Sequence, residues 1–159
     1  VVWNEHRRLL AAPVAEVGAL IDGLASADDL LWPDEEWPAM RFDRPLGVGA
    51  RGGHGPVRYS VVEYLPGRRI GFRFEAPAGF LGHHGFSVEE AGGGVLLRHL
   101  LTVQPVGPAR ASWPLVYRPL HDALLEDALD KAERSLGLGG PRTEWSPLVK
   151  ALRAAAERL

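Results

Sequence analysis

A chain of 159 residues can bury one core without staples, and 46% apolar against 24% charged residues is a globular composition, not a disordered one. Eighteen basic against twenty acidic side chains leave a net charge of -2, so no global field favours nucleic acid or anionic lipid. The lack of cysteine excludes disulfides, thiolate zinc sites and cysteine nucleophiles.

No apolar run approaches the roughly 18 residues of a membrane helix, so no membrane span is expected. The chain begins Val-Val without a signal-like apolar stretch, which reads as a mature or truncated chain with the cytoplasm as default location. Among the basic residues only Lys131 and Lys150 are lysine, a bias expected of a GC-rich bacterial genome.

An opening strand is followed by a helix entry at Ala12-Pro13-Val14-Ala15-Glu16. Pro13 suits the first helical position and Glu16 the positive end of the dipole. Val14, Val17, Leu20, Ile21 and Leu24 recur at helical spacing, predicting a short amphipathic helix to about Ser26. Residues 28 to 56 are broken by Pro and Gly and read as irregular, with Trp32 and Trp37 covering something apolar. Within them Gly47-Val48-Gly49-Ala50-Arg51-Gly52 matches G-x-G-x-x-G. A dinucleotide site needs a strand before that motif and a helix after it; here Gly53-His54-Gly55-Pro56 follows, so a flexible loop is expected.

Val57 to Tyr64 predicts a strand, Leu65-Pro66-Gly67-Arg68 a turn, and alternating Ile70, Phe72 and Phe74 a second strand. Gly85 to Glu90 and Val95 to Val103 flank a further turn at Ala91-Gly92-Gly93-Gly94. The period becomes helical from Pro114 or Pro119 to Leu136, where Gly137 stops it. After a Gly/Pro linker, Ser146-Pro147 opens a final helix with Leu148, Val149, Leu152, Ala156 and Leu159 on one side. Runs of strands closed by a long helix indicate an α+β fold.

Side-chain parity along the second hairpin selects the candidate site. Adjacent strand residues face opposite ways, so His84 points inward with Phe86 and Val88 while His83 points out. Val95, Leu97, His99, Leu101 and Val103 share the inner face of the partner strand. A two-residue turn at Ala91-Gly92 would set His84 opposite His99, and a four-residue turn would offset them by one pair. Tyr117, His121, Leu124 and Ala128 lie at i, i+4 spacing; the first two are cavity candidates and the last two packing residues. Glu63 falls in the inner set with Val57, Tyr59 and Val61, at a cavity wall or a strand-end rim. His54 lies in the glycine loop, facing solvent or a cavity mouth. Zinc needs three or four convergent ligands; this hairpin supplies at most two, His121 on the last helix could be a third, and spacing alone places no carboxylate, so no metal and no cofactor is expected. No G-x-S-x-G supports serine hydrolysis.

Three segments together resemble the START-like, helix-grip superfamily (SRPBCC), in its polyketide cyclase/dehydrase-like branch. They are Leu10 to Val17, Pro56 to Phe72 with Glu63-Tyr64-Leu65-Pro66-Gly67 at its centre, and Pro119 to Leu129, in that order over residues 3 to 137. The resemblance implies a curved antiparallel sheet wrapped around a long C-terminal helix, with an internal cavity for lipid-like or polyketide-like molecules. It carries over no catalytic residue. Residues 1–138 are then the helix-grip ligand-binding domain, and residues 139–159 a linker and amphipathic helix outside the pattern.

The expected ligand-binding set is Trp32, Trp37, His54, Tyr59, Glu63, Phe72, Phe74, His84, Phe86, His99, Tyr117 and His121. The expected function is binding of a hydrophobic or aromatic small molecule. The alternative is a polyketide cyclase/dehydratase using a cavity histidine as acid and base. The C-terminal stripe Leu148, Val149, Leu152 and Leu159 should dock on its own domain or on a second copy, making a homodimer one expectation.

Overall fold

The computed structural model describes residues 1–158, so Leu159 of the C-terminal stripe lies outside the described residues. Seven strands form one antiparallel sheet: β1 (Val2–Leu10), β2 (Arg41–Phe42), β3 (Arg51–His54), β4 (Val57–Leu65), β5 (Arg69–Ala76), β6 (Phe80–Ala91) and β7 (Gly94–Pro105), in spatial order β1-β7-β6-β5-β4-β3-β2. Consecutive strands from β2 to β7 pair as hairpins, and β1 closes the far edge against β7. This is an α+β fold in which a curved sheet holds the long helix α3 (Arg118–Ser135).

The short helix α1 (Val14–Asp22) follows the predicted periodicity but stops four residues early, at Gly23. Its apolar stripe of Val17, Leu20 and Ile21 is buried. Gly18 lets it approach the β4–β5 turn, since a Cβ there would lie 2.2 Å from the Gly67 carbonyl oxygen. Asp22 fixes that approach, accepting hydrogen bonds from Tyr64 Oη and Gly67 N.

Part of the stretch read as irregular is strand. Arg41 and Phe42 pair with Gly53 and Gly52, making β2 and β3 a small edge hairpin. The glycines obscured it: β3 reads Arg-Gly-Gly-His, with no β-branched residue, because a Cβ on Gly52 or Gly53 would strike the neighbouring strand's backbone. Gly49, Gly53 and Gly55 have positive φ. No helix opens from the glycine motif.

The helical region also starts earlier than expected. A turn of helix α2 (Ala109–Ser112) and a π-helical turn at Trp113–Tyr117 lead into α3. Pro114 and Pro119 have no N–H, so the i→i−4 ladder fails at both. Between them the backbone widens, and Arg118 N donates to Trp113 O five residues back. The π turn presents Trp113 and Tyr117 to the concave side of the sheet, against Phe80.

Strand parity on β6 and β7 is as the alternation predicts: Val95, Leu97, His99, Leu101 and Val103 are buried, as are Phe86 and Val88. Phe72, Phe86 and Leu97 pack in one cluster with Leu124, Leu125, Ala128 and Leu129 of α3. A fully buried Phe or Leu of this kind contributes about 1.5–3 kcal/mol through area removed from water. Among the described residues no helix is long and apolar enough to cross a membrane.

The face of α3 turned away from this cluster is charged yet covered. Lys131 donates to the Trp32 carbonyl oxygen and pairs with Asp34 and Glu35. Asp127 Oδ2 accepts from the indole N–H of both Trp37 and Trp145, at 2.8 Å each. Asp130 accepts from Thr143 N. These bonds tie the tryptophan loop and the C-terminal segment onto the helix. The last helix, α4 (Pro147–Ala156), buries Val149, but Leu148 is 52% exposed. Of the predicted stripe, Val149 is buried, Leu152 half-buried and Ala156 on the cavity wall, while Leu148 faces out; Arg153 adds to the docking, stacked over Trp37 and Trp145.

Candidate functional site

A cavity of about 490 Å³ lies between the sheet, α3 and the tryptophan loop. That volume is in the range of small-molecule sites. Phe74, Phe80, His84, His99 and Leu101 line it from the sheet, and Trp113, Tyr117, Leu120, His121, Leu124 and Leu125 from the helical side. Trp32, Glu36, Trp37 and Pro38 come from the loop, His54, Pro56 and Val57 from the β3–β4 hairpin, and Arg153, Ala156 and Glu157 from the C-terminal region.

Inside this apolar wall His84 and His99 are the paired polar groups. The β6–β7 turn is Gly92-Gly93, with Ala91 paired to Gly94, so His84 faces Leu101 and His99 faces Phe86. The histidines are therefore diagonal neighbours, one pair offset, and His84 Nδ1 and His99 Nε2 share a hydrogen bond of 3.4 Å. His84 is held by a stack on Phe74 and an edge contact with Tyr59, ring centroids 4.6 Å away in each case. His84 Nε2, His99 Nδ1 and both ring nitrogens of His121 are buried and have no hydrogen-bond partner among the described residues. Burial, reinforced by the other histidines nearby, pushes the pKa of His84 and His99 well below the usual imidazole value. Burial lowers His121 as well and takes His54 down to about 3. These imidazoles are neutral at pH 7, each offering one donor and one acceptor.

Of the twelve residues expected from the sequence, Trp32, Trp37, His54, Phe74, His84, His99, Tyr117 and His121 lie on the cavity wall. Tyr59, Phe72 and Phe86 do not: they are fully buried in the layer behind it. Tyr59 still acts on the site, its hydroxyl 2.9 Å from His54 Nδ1. Glu63 is a correction. A register shift between Val61 and Glu63 breaks the alternation, so Glu63 turns out to solvent and pairs with Arg69 at 2.6 Å. A bulge of this kind leaves no mark in a period-two pattern.

A second polar group escaped sequence reasoning altogether. Asn4, His6 and Arg8 of β1 face a carboxylate ladder on α3 formed by Asp122, Glu126, Asp130 and Glu133. Asn4 Nδ2 donates to Asp122 Oδ1 at 2.8 Å; His6 Nε2 lies 3.0 Å from that same oxygen, and His6 Nδ1 lies 2.8 Å from Glu126 Oε1. Burial opposes charge on His6, but the hydrogen bonds and charges of Asp122 and Glu126 outweigh it and raise the pKa. A polar residue at every second position of β1 and a carboxylate at every fourth of α3 were the available signals.

No protein-family model matches the chain, and no curated protein matches it. Solved structures do. CalU16 from Micromonospora echinospora is 17% identical, covering 96% of this chain and 82% of that one with a TM-score of 0.61. A protein from Nitrosospira multiformis is 13% identical over 85% of this chain and 96% of that one, TM-score 0.63. Another from Thermobifida fusca is 16% identical over 89% and 99%, TM-score 0.61. At such identities the likeness is one of fold: the chain has a helix-grip-like fold.

Proposed function

We propose that the chain binds a hydrophobic or aromatic small molecule carrying an oxygen at its buried end. The observation that carries this is a mostly apolar cavity whose wall includes His84 and His99, with His84 Nε2 and His99 Nδ1 buried and without a hydrogen-bond partner among the described residues. A buried polar atom without a partner is costly, and a ligand hydroxyl or carbonyl relieves that cost. Among the described residues, charged groups line the cavity only at Glu36, Arg153 and Glu157, near α4, so the inner end suits a neutral ligand group. Polyketide-like and lipid-like molecules have this chemistry. The alternative, catalysis by a cavity histidine as in a cyclase or dehydratase, needs a base with a pKa near the working pH, whereas burial holds His84 and His99 well below the usual imidazole value.

His99→Leu tests the reading by titration with naphthol and with naphthalene. Binding of naphthol weakens by about 1–3 kcal/mol as its hydroxyl loses a partner, whereas naphthalene binding is unchanged. Unfolding stability falls by no more than about 1–3 kcal/mol, since volume is nearly conserved and the unmet His99 Nδ1 is removed, while His84 Nδ1 loses its long 3.4 Å partner. Equal losses for both probes, or none for naphthol, would remove His99 from the ligand site.

A further inference from the structure

We propose that His6, His121 and Asp122 form a binding site for a divalent transition metal of the zinc type, at the edge of the cavity. It goes beyond small-molecule binding and uses a different set of residues from the His84–His99 pair. One ligand atom from each of the three side chains lies within 4.8 Å of the others. His6 Nε2 stands 3.0 Å from Asp122 Oδ1, and His121 Nδ1 stands 3.7 Å from it. Bonds of about 2.0–2.1 Å to a common metal put ligand atoms roughly 3–3.4 Å apart, so small side-chain movements close the site.

Two further observations point to a cation. First, both ring nitrogens of His121 are buried and, beyond the 3.7 Å approach of Nδ1 to Asp122, have no hydrogen-bond partner among the described residues, although they sit beside a carboxylate and an imidazole that have several. Second, the partners that orient metal ligands are in place. Glu126 Oε1 lies 2.8 Å from His6 Nδ1, leaving Nε2 turned toward Asp122, and Asn4 Nδ2 holds Asp122 Oδ1. A carboxylate on the far nitrogen of a ligating histidine fixes its tautomer and raises its basicity. The imidazole nitrogen and carboxylate oxygen at 3.0 Å need positive charge between them, which in the metal-free protein is a proton. Metal binding replaces that proton. Two imidazoles and one carboxylate are a donor set for zinc and neighbouring metals rather than for magnesium or calcium. His121 also lines the cavity, so the remaining coordination position adjoins the ligand space.

The experiment is titration of chelator-treated, metal-free protein with Zn²⁺ by calorimetry, and with Co²⁺ by visible absorption. One equivalent should bind saturably with release of a proton, and Co²⁺ should give the intense bands of a low-coordinate site. Glu126→Gln, which removes the carboxylate on the far nitrogen of His6 and also weakens the pair with Arg8, should weaken zinc by about 10–100-fold. Asp122→Asn and His121→Ala should weaken it further, and His83→Ala should leave it unchanged. His121→Ala removes only the 3.7 Å approach to Asp122 among the polar contacts described, so it decides the matter if Asp122→Asn proves unstable. Absence of saturable binding at micromolar Zn²⁺, or equal affinity in wild type and His121→Ala, overturns the proposal.

Discussion

Arg8→Ala lowers the free energy of unfolding by about 3 kcal/mol, at the lower end of the cost of stranding a buried charge. The reason lies in how β1 meets α3. Arg8 donates to Asp130 at 2.6 Å and to Glu126 at 2.8 Å, and it lies 3.0 Å from Glu133. Asp130 is buried, so without the guanidinium its charge has little solvent to turn to. Glu126 is about one-third exposed, which screens its share and keeps the total from the upper end of the range. Arg51→Ala is the internal control: its partner Glu75 is reached from an exposed side chain, and the change should cost under about 1 kcal/mol. Urea unfolding of the two variants checks the contrast. Similar small losses in both would mean that the ladder on α3 is solvated.

Acidification is the second large effect. His54, His84, His99 and His121 all have folded-state pKa values lowered by burial. In the unfolded chain each protonates near the ordinary value of about 6.5. Below that pH the unfolded state takes up protons that the folded state refuses, so stability falls as pH falls, and for His54 it keeps falling to about 3. His6 has the opposite sign, its stabilisation being full below about 6.5 and lost as pH rises through its raised folded value. Each imidazole that stays neutral adds a slope of up to about 1.4 kcal/mol per pH unit, so stability should fall between pH 7 and pH 5. Urea midpoints across that range measure it, and His99→Leu should make the slope shallower. A flat profile in the wild type would show that water reaches the four rings.

The elements with a clear period were legible in the sequence. Alternation on β6 and β7 separated His84 from His83 and put His99 inside, because both strands are regular along the whole hairpin. Hairpin register was not legible, since two turns are compatible with four consecutive small residues. Glu63 failed for a related reason: one extra residue in β4 reverses every later side chain, and no residue type announces it. The start of the helical region was hidden by Pro114 and Pro119, which normally end helices but here bracket a π turn. Charged residues were the deepest blind spot. Asp127, Asp130 and Lys131 are buried on α3 because the tryptophan loop and the C-terminal segment bring matching donors and acceptors from far along the chain.

The central claim is that the cavity between the sheet and α3 takes a small apolar molecule. Leu124 lines that cavity from α3 while also packing in the core, so tryptophan in its place adds bulk at the cavity wall. The most direct measurement is fluorescence titration of N-phenylnaphthylamine into wild type and Leu124→Trp side by side. The wild type should bind one equivalent with a blue-shifted emission, and the variant should bind at least about tenfold more weakly, a difference of about 1.4 kcal/mol. Equal affinity in the two proteins would place the dye outside the cavity, and a wild type that binds none would contradict the account outright.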